Sequence, residues 1–284
     1  MNYDRQYRFA AGIGTGFEVG DSPSYPIHIS FSIEKTEKEA ENTAKISLWN
    51  LSKEQIGVLN EDDCVVTLRA GYGANIPVAF VGNVTFAVTD TDNADKETKI
   101  EAADGRKELR DTWMSVCYDG TIDTKKIFDD IAAKMGVSVI YGDNVTFTEL
   151  SAFSFVGGAG AALDRMCAST GLAWSLQNGV LNIRRPQDAI SHEVYVLSGD
   201  TGLIGIPKIL TEAAKNSKKK KESGIEVEYL MNAAIGVSDY IFLESEIRTG
   251  FFRVASVKID GDNYADDWKC TAKLMEAGNT PKKK

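Results

Sequence analysis

Thr201-Gly202-Leu203-Ile204-Gly205-Ile206-Pro207, followed by Gly250-Phe251-Phe252-Arg253-Val254 and Asp260-Gly261-Asp262, decides how this chain is read. Apolar and polar residues alternate along it, and glycine punctuates it. Period-two alternation marks half-buried strands, whose two faces meet different surroundings. No catalytic constellation lies in the stretch. It reads as a β-rich contact surface, with Leu203, Ile204, Ile206, Phe251, Phe252 and Arg253 as candidate assembly residues.

The last third continues the pattern. Strands are expected at Glu193 to Leu197, Ile204 to Leu210, Ile225 to Leu230, Tyr240 to Glu244, Phe251 to Ile259 and Trp268 to Leu274. Residues 211–224 break it: they are polar, rich in lysine, and read as a mobile loop. Lys218 and Lys219 in that loop are candidates for docking onto an acidic neighbour.

The first third is also strand-like. Ile27, Ile29, Phe31 and Ile33 alternate with polar residues, as do Ala44, Ile46 and Leu48, then Val66, Leu68 and Ala70, then Phe80, Val84, Phe86 and Val88. Ser52 is placed to cap a short helix through Leu59. Lys99 to Ala103 ends at Asp104-Gly105, a favoured turn pair.

Residues 116–186 change character, and the chain divides into 1–115, 116–186 and 187–284. Thr121 is placed to cap a helix with Asp123 in its first turn. Ile127, Phe128, Ile131 and Met135 share one face, and Gly136 supplies the stop. A second helix is predicted from Ala159 to Thr170, ended by Gly171. Asn178-Gly179 is the preferred pair for a two-residue type I′ turn. That turn sets Leu176 opposite Leu181 and Trp174 opposite Ile183. The fold class is therefore mainly β with an α+β insert.

Net charge is −9, and removing eight clustered lysines (Lys215, Lys218, Lys219, Lys220, Lys221, Lys282, Lys283, Lys284) takes it to −17. An acidic body argues against specific nucleic-acid binding, which needs Lys and Arg to neutralise phosphate. No secretory signal and no run of about 18 apolar residues is seen, so no membrane partner is expected. Cys64, Cys117, Cys167 and Cys270 are widely spaced and read as buried free thiols, suited to a reducing cytoplasm.

No motif points to a cofactor, metal or catalytic site. Gly12 to Gly16 reads as a flexible loop, since no helix follows. The glycines at 157, 158 and 160 precede a helix but lack the lysine of a phosphate loop. Asp260, Asp262 and Asp266 read as turn carboxylates, because their spacing is not that of a calcium loop. His28 and His192 are too few and too far apart for zinc. Trp49, Trp113, Trp174 and Trp268 sit in strand-like contexts where burial is expected.

Taken in order, a further set of short patterns resembles the baseplate hub (tail hub) proteins of bacteriophages. They are Asn42-Thr-Ala-x-Ile-x-Leu-x-Asn-Leu-Ser52, Val66-x-Leu-x-Ala-Gly-Tyr72, Phe80-x-Gly-x-Val84 and Ala102-x-Asp-Gly105. Trp174-Ser-Leu-Gln-Asn-Gly179, Gly202-Leu-Ile-Gly-x-Pro207, Gly250-x-Phe-Arg-Val254 and Gly261-Asp262 before Trp268 complete the set. One departure is Ile259, where such proteins often carry a His.

The resemblance implies a non-enzymatic scaffold with two tail-tube-like β-barrel or sandwich domains flanking the insert. It implies a homotrimeric ring with pseudo-six-fold symmetry, joining the tail tube or a distal tail protein to a central spike or tail fibre protein. The tape measure protein is a further implied partner, DNA passes through the lumen, and the location is the virion tail. The readings set against it are a cell-wall-degrading tail enzyme and a host-glycan-binding tail module.

Overall fold

The computed structural model describes residues 4–20, 27–37, 41–92, 95–190, 193–211, 223–279 and 281. The first elements are β1 (Arg5–Ile13), β2 (Thr15–Gly20), β3 (Ile29–Thr36), β4 (Thr43–Trp49), α1 (Lys53–Leu59), β5 (Val65–Tyr72), β6 (Val78–Asp92), β7 (Asp95–Ala103) and α2 (Arg106–Asp111). Alternation sets the register. Ile29, Phe31 and Ile33 of β3 pair with Leu48, Ile46 and Ala44 of β4, all six buried. Burying each large aliphatic side chain contributes about 1.5–3 kcal/mol. Ser52 caps α1 in a capping box with Gln55.

Gly12 to Gly16, expected as a flexible loop, is instead the tip of the β1–β2 hairpin, with Gly12 opposite Gly16. A Cβ on Gly12 would lie 2.4 Å from the Thr15 carbonyl oxygen, so glycine is what lets the two strands close. The helix α2 after Asp104-Gly105 was not expected. It is six residues long and buries no side chain completely, so it leaves no apolar period to read.

The middle holds β8 (Trp113–Tyr118), β9 (Ile122–Asp123), α3 (Thr124–Met135), β10 (Ser138–Tyr141), β11 (Glu149–Leu150), β12 (Phe153–Gly158), α4 (Ala159–Thr170), β13 (Ala173–Gln177) and β14 (Val180–Arg184). Asp123, not Thr121, caps α3: its side chain accepts from the Lys125 N–H. The reason is the pairing of β9 with β11, which keeps the chain extended as far as Asp123. The hairpin has the expected register, Leu176 with Leu181 and Trp174 with Ile183. Asn178 and Gly179 both take positive φ, 51° and 77°, as a type I′ turn requires. α3, α4 and the β10-β14-β13 sheet enclose their own core around Phe128, Leu163, Met166 and Leu181.

The remaining elements are β15 (Val194–Leu197), a 3₁₀ turn (Gly199–Thr201), β16 (Leu203–Thr211), β17 (Ser223–Leu230), β18 (Tyr240–Glu244), β19 (Thr249–Asp262) and β20 (Trp268–Glu276). The fold is mainly β with an α+β insert. β19 pairs with both β20 and β3, and so joins the last third of the chain to the first. The strands run in the order β16-β17-β20-β19-β3-β4-β7-β6-β5-β1-β2, with β18 and β15 branching from β19. Among the described residues this path stays open, with β16 and β2 at its ends. One core serves both thirds, from Tyr7 to Leu274. Trp268 seals it: the indole N–H donates to the Gly71 carbonyl at 3.2 Å and its ring meets Phe31 edge-on.

Candidate assembly surface

Among the described residues β16 is an end strand of the sheet, so one row of its backbone groups has no described strand beside it. Its pairing with β17 slips between Ile204 and Lys208. Gly205 takes φ +66° there, and Pro207 has no N–H to give to a ladder. The slip turns Ile206 outward, 68% exposed, with Ile204 and Ile209 also exposed on the same strand. Leu203 is partly buried against the core. Lys208 charges this edge and pairs with Glu226 at 3.2 Å and Glu228 at 3.6 Å.

A second apolar row crosses three strands. Val196 of β15 lies beside Phe242 of β18, which lies beside Phe251 of β19. The two phenyl rings are 4.9 Å apart, and Val196 and Phe251 are 45% and 44% exposed. Exposed apolar side chains in a continuous row mark contact surfaces more than scattered ones do.

Phe252 and Arg253 are buried within the chain and leave this surface. Phe252 faces the core because its neighbour Phe251 faces out. Arg253 pairs with Glu37, which also takes Arg184 at 2.7 Å. Lys218 and Lys219, with the rest of 212–222, lie outside the described residues.

Lys35, Asn42 and Asp104 form a polar clasp that sequence reading missed. It fixes the insert to the large sheet. Asp104 accepts from the backbone N–H of Asn178 at 2.5 Å and of Gly179 at 3.1 Å, and from Asn42 Nδ2 at 3.2 Å. Asn178 Oδ1 in turn accepts from Lys35 Nζ at 3.1 Å. Gln177 Nε2 donates to the Thr36 carbonyl at 2.9 Å. Burial pulls the Lys35 ammonium down to about 8 and pushes the Asp104 carboxyl up; the hydrogen bonds to Asp104 and the Lys35 charge oppose that rise. A signal was available for Lys35: it continues the inward series Ile29, Phe31, Ile33.

The other singled-out residues fall as follows. Asp262 accepts from the N–H groups of Tyr264 and Ala265 and faces His28 Nε2 at 3.0 Å, while Asp260 takes Ser32 and Lys258. Asp260 and Asp262 are thus engaged in local contacts, and the Asp266 backbone carbonyl accepts from Arg5. His28 is stacked between Trp49 and Tyr264, with ring centroids 3.8 and 4.6 Å away. His192 lies outside the described residues. Trp174 and Trp268 are buried, Trp49 is half-buried, and Trp113 is exposed, contrary to expectation, on the two-stranded β8–β12 ribbon. Cys117 on the same ribbon is also exposed, contrary to expectation; Cys64, Cys167 and Cys270 are buried. No cluster of three or more His, Cys, Asp or Glu able to hold a metal occurs among the described residues.

Solved structures of phage tail proteins share this fold. The 43 kDa tail protein of prophage MuSo2 from Shewanella oneidensis superimposes with a TM-score of 0.64 at 11% identity, over 96% of this chain and 98% of that one. A tail protein from Neisseria meningitidis MC58 gives 0.63 at 11% identity, over 96% and 97%. The E. coli c3393 protein, a type VI secretion component described as similar to the T4 phage tail proteins gp27 and gp5, gives 0.62 at 8% identity, over 89% and 74%. No family model and no curated protein sequence matches the chain. The fold is therefore that of these tail and type VI secretion proteins, shared at 8–11% sequence identity.

Proposed function

We propose that this chain is a structural subunit of a phage or phage-like tail baseplate: a hub ring of three copies with pseudo-six-fold symmetry, joining the tail tube to the central spike or fibre. The observation that carries the reading is the extent of the likeness. It covers nearly all of this chain and nearly all of two tail proteins, so sheet and insert are shared together. Two related β units, 1–115 and 187–284, joined edge to edge through β3 and β19, each meet a six-fold tube above, and the insert at 116–186 projects from them. A closed ring needs two different faces on each subunit. The β16 edge and the Val196–Phe242–Phe251 row supply one of them. The acidic body suits a bore through which DNA slides without adhering, because like charges repel. Partners are further copies, a tube or distal tail protein, a spike or fibre protein, and the tape measure protein. The chain acts without catalysis.

The test is solution mass by light scattering, with electron micrographs of the same sample. Three-copy rings support the reading; a monomer at all concentrations refutes the homotrimer. A second reading, host-glycan binding, draws on the Trp49–His28–Tyr264 stack, whose outer ring is 63% exposed. A glycan array with the wild type and Tyr264→Ala tests it, and no binding by the wild type removes it.

A further inference from the structure

Beside the slip in β16 lies a cleft of about 590 Å³. Leu203 and Pro207, with the outward Ile206, form its apolar lining. Asp200, Glu244 and Glu246 stand around it. Other carboxylates nearby are neutralised: Glu226 and Glu228 by Lys208, and Glu276 by Arg248. Asp200, Glu244 and Glu246 pair with no cation among the described residues.

An apolar lining beside a carboxylate rim fits a long basic side chain better than it fits an aliphatic residue. The four-carbon stem of lysine covers apolar surface, while its ammonium reaches up to the rim. The chain itself carries such a group in concentrated form, the lysine run 218–221, on a body that is otherwise strongly acidic.

We propose that this cleft receives the lysine run 218–221 of a second copy of the chain. Head-to-tail contact is the geometry that favours it. The run is joined to the end of β16 away from the cleft, and Gly205 to Thr211 spans roughly 20 Å of strand. A heterologous contact brings different parts of two subunits together, so one copy's cleft meets its neighbour's lysines. The inference rests on the ring reading above and names the charge contact within it.

The test mixes light and isotopically heavy copies of the full chain and joins contacting carboxylates and amines with a zero-length carbodiimide. Mass spectrometry is expected to find Asp200, Glu244 or Glu246 linked to the lysine run in mixed-isotope pairs. Same-isotope pairs alone, or no such pairs in a sample that does form oligomers, overturn the proposal and leave the ring reading standing. A wild type that stays monomeric overturns both.

Self-association gives an independent readout. Asp200→Lys, Glu244→Lys and Glu246→Lys together are expected to weaken it about tenfold at low salt, as is reversal of the four lysines to Glu. The two sets combined are expected to recover most of the loss, and high salt to level all the differences. A combined variant no stronger than either set alone refutes the pairing. The milder Asp200→Asn, Glu244→Gln, Glu246→Gln set repeats the comparison if the lysine variant fails to fold.

Discussion

Replacing Asp104 with alanine removes the acceptor that holds the insert's hairpin to the large sheet. Three donors lose it: the N–H groups of Asn178 and Gly179, and Asn42 Nδ2. Asn42 keeps a second partner in the Leu176 carbonyl at 3.0 Å, so the two turn N–H groups carry most of the loss. A buried donor left unpaired costs about 1–3 kcal/mol. The two turn donors left unpaired set the scale, so Asp104→Ala is expected to destabilise by about 2–6 kcal/mol. Asp104→Asn retains one acceptor oxygen and is expected to lose about half as much. Trp174 sits in the hairpin and reports on it, so urea unfolding followed by tryptophan fluorescence is the assay. A loss below about 0.5 kcal/mol for the alanine variant would mean that the clasp does not hold the insert.

Lys35 has a pH signature of its own. Its folded pKa of about 8 lies below the ordinary lysine value of 10.5, so between those values the unfolded chain binds more protons and stability rises with pH. Relative to Lys35→Met, the wild type is expected to gain about 2 kcal/mol from pH 8 to 10; a flat difference contradicts the burial argument. Gly179→Ala meets open space but keeps φ at +77°, and is expected to cost about 1 kcal/mol in chemical unfolding. Gly105→Ala is expected to cost more, since its Cβ would fall 2.0 Å from Leu176 Cδ2 at φ +70°, and equal losses would refute the distinction. A thiol reagent on the native protein is expected to label Cys117 quickly and Cys64, Cys167 and Cys270 only after unfolding, as peptide mapping can show. Ile206→Lys is expected to leave the unfolding midpoint unchanged while weakening self-association, because the side chain already faces solvent in the single chain.

The features legible in the sequence were the local ones. Asn178-Gly179 fixed a turn type, and the turn fixed the register of Trp174 and Leu176 against Ile183 and Leu181. Ser52, Gly136 and Gly171 announced helix ends by the backbone groups they satisfy. Features set by distant partners were not legible. Whether the Gly12 to Gly16 run is loose or a hairpin depends on β5, which pairs along β1 and orders it. Arg253 looks like any exposed cation until Glu37 is brought to it from the far end of β3. The clasp likewise joins residues from four separate segments, and only Lys35, out of place in an apolar series, leaves a trace in the sequence.

The central claim is that this chain works by closing into a ring. Light scattering of the purified protein, combined with electron-microscope class averages of the same peak, tests it most directly. The account predicts three copies, about 93 kDa from a chain of 31.0 kDa, in rings with a central opening and six density lobes. A compact monomer at every protein and salt concentration, without an opening, would contradict it.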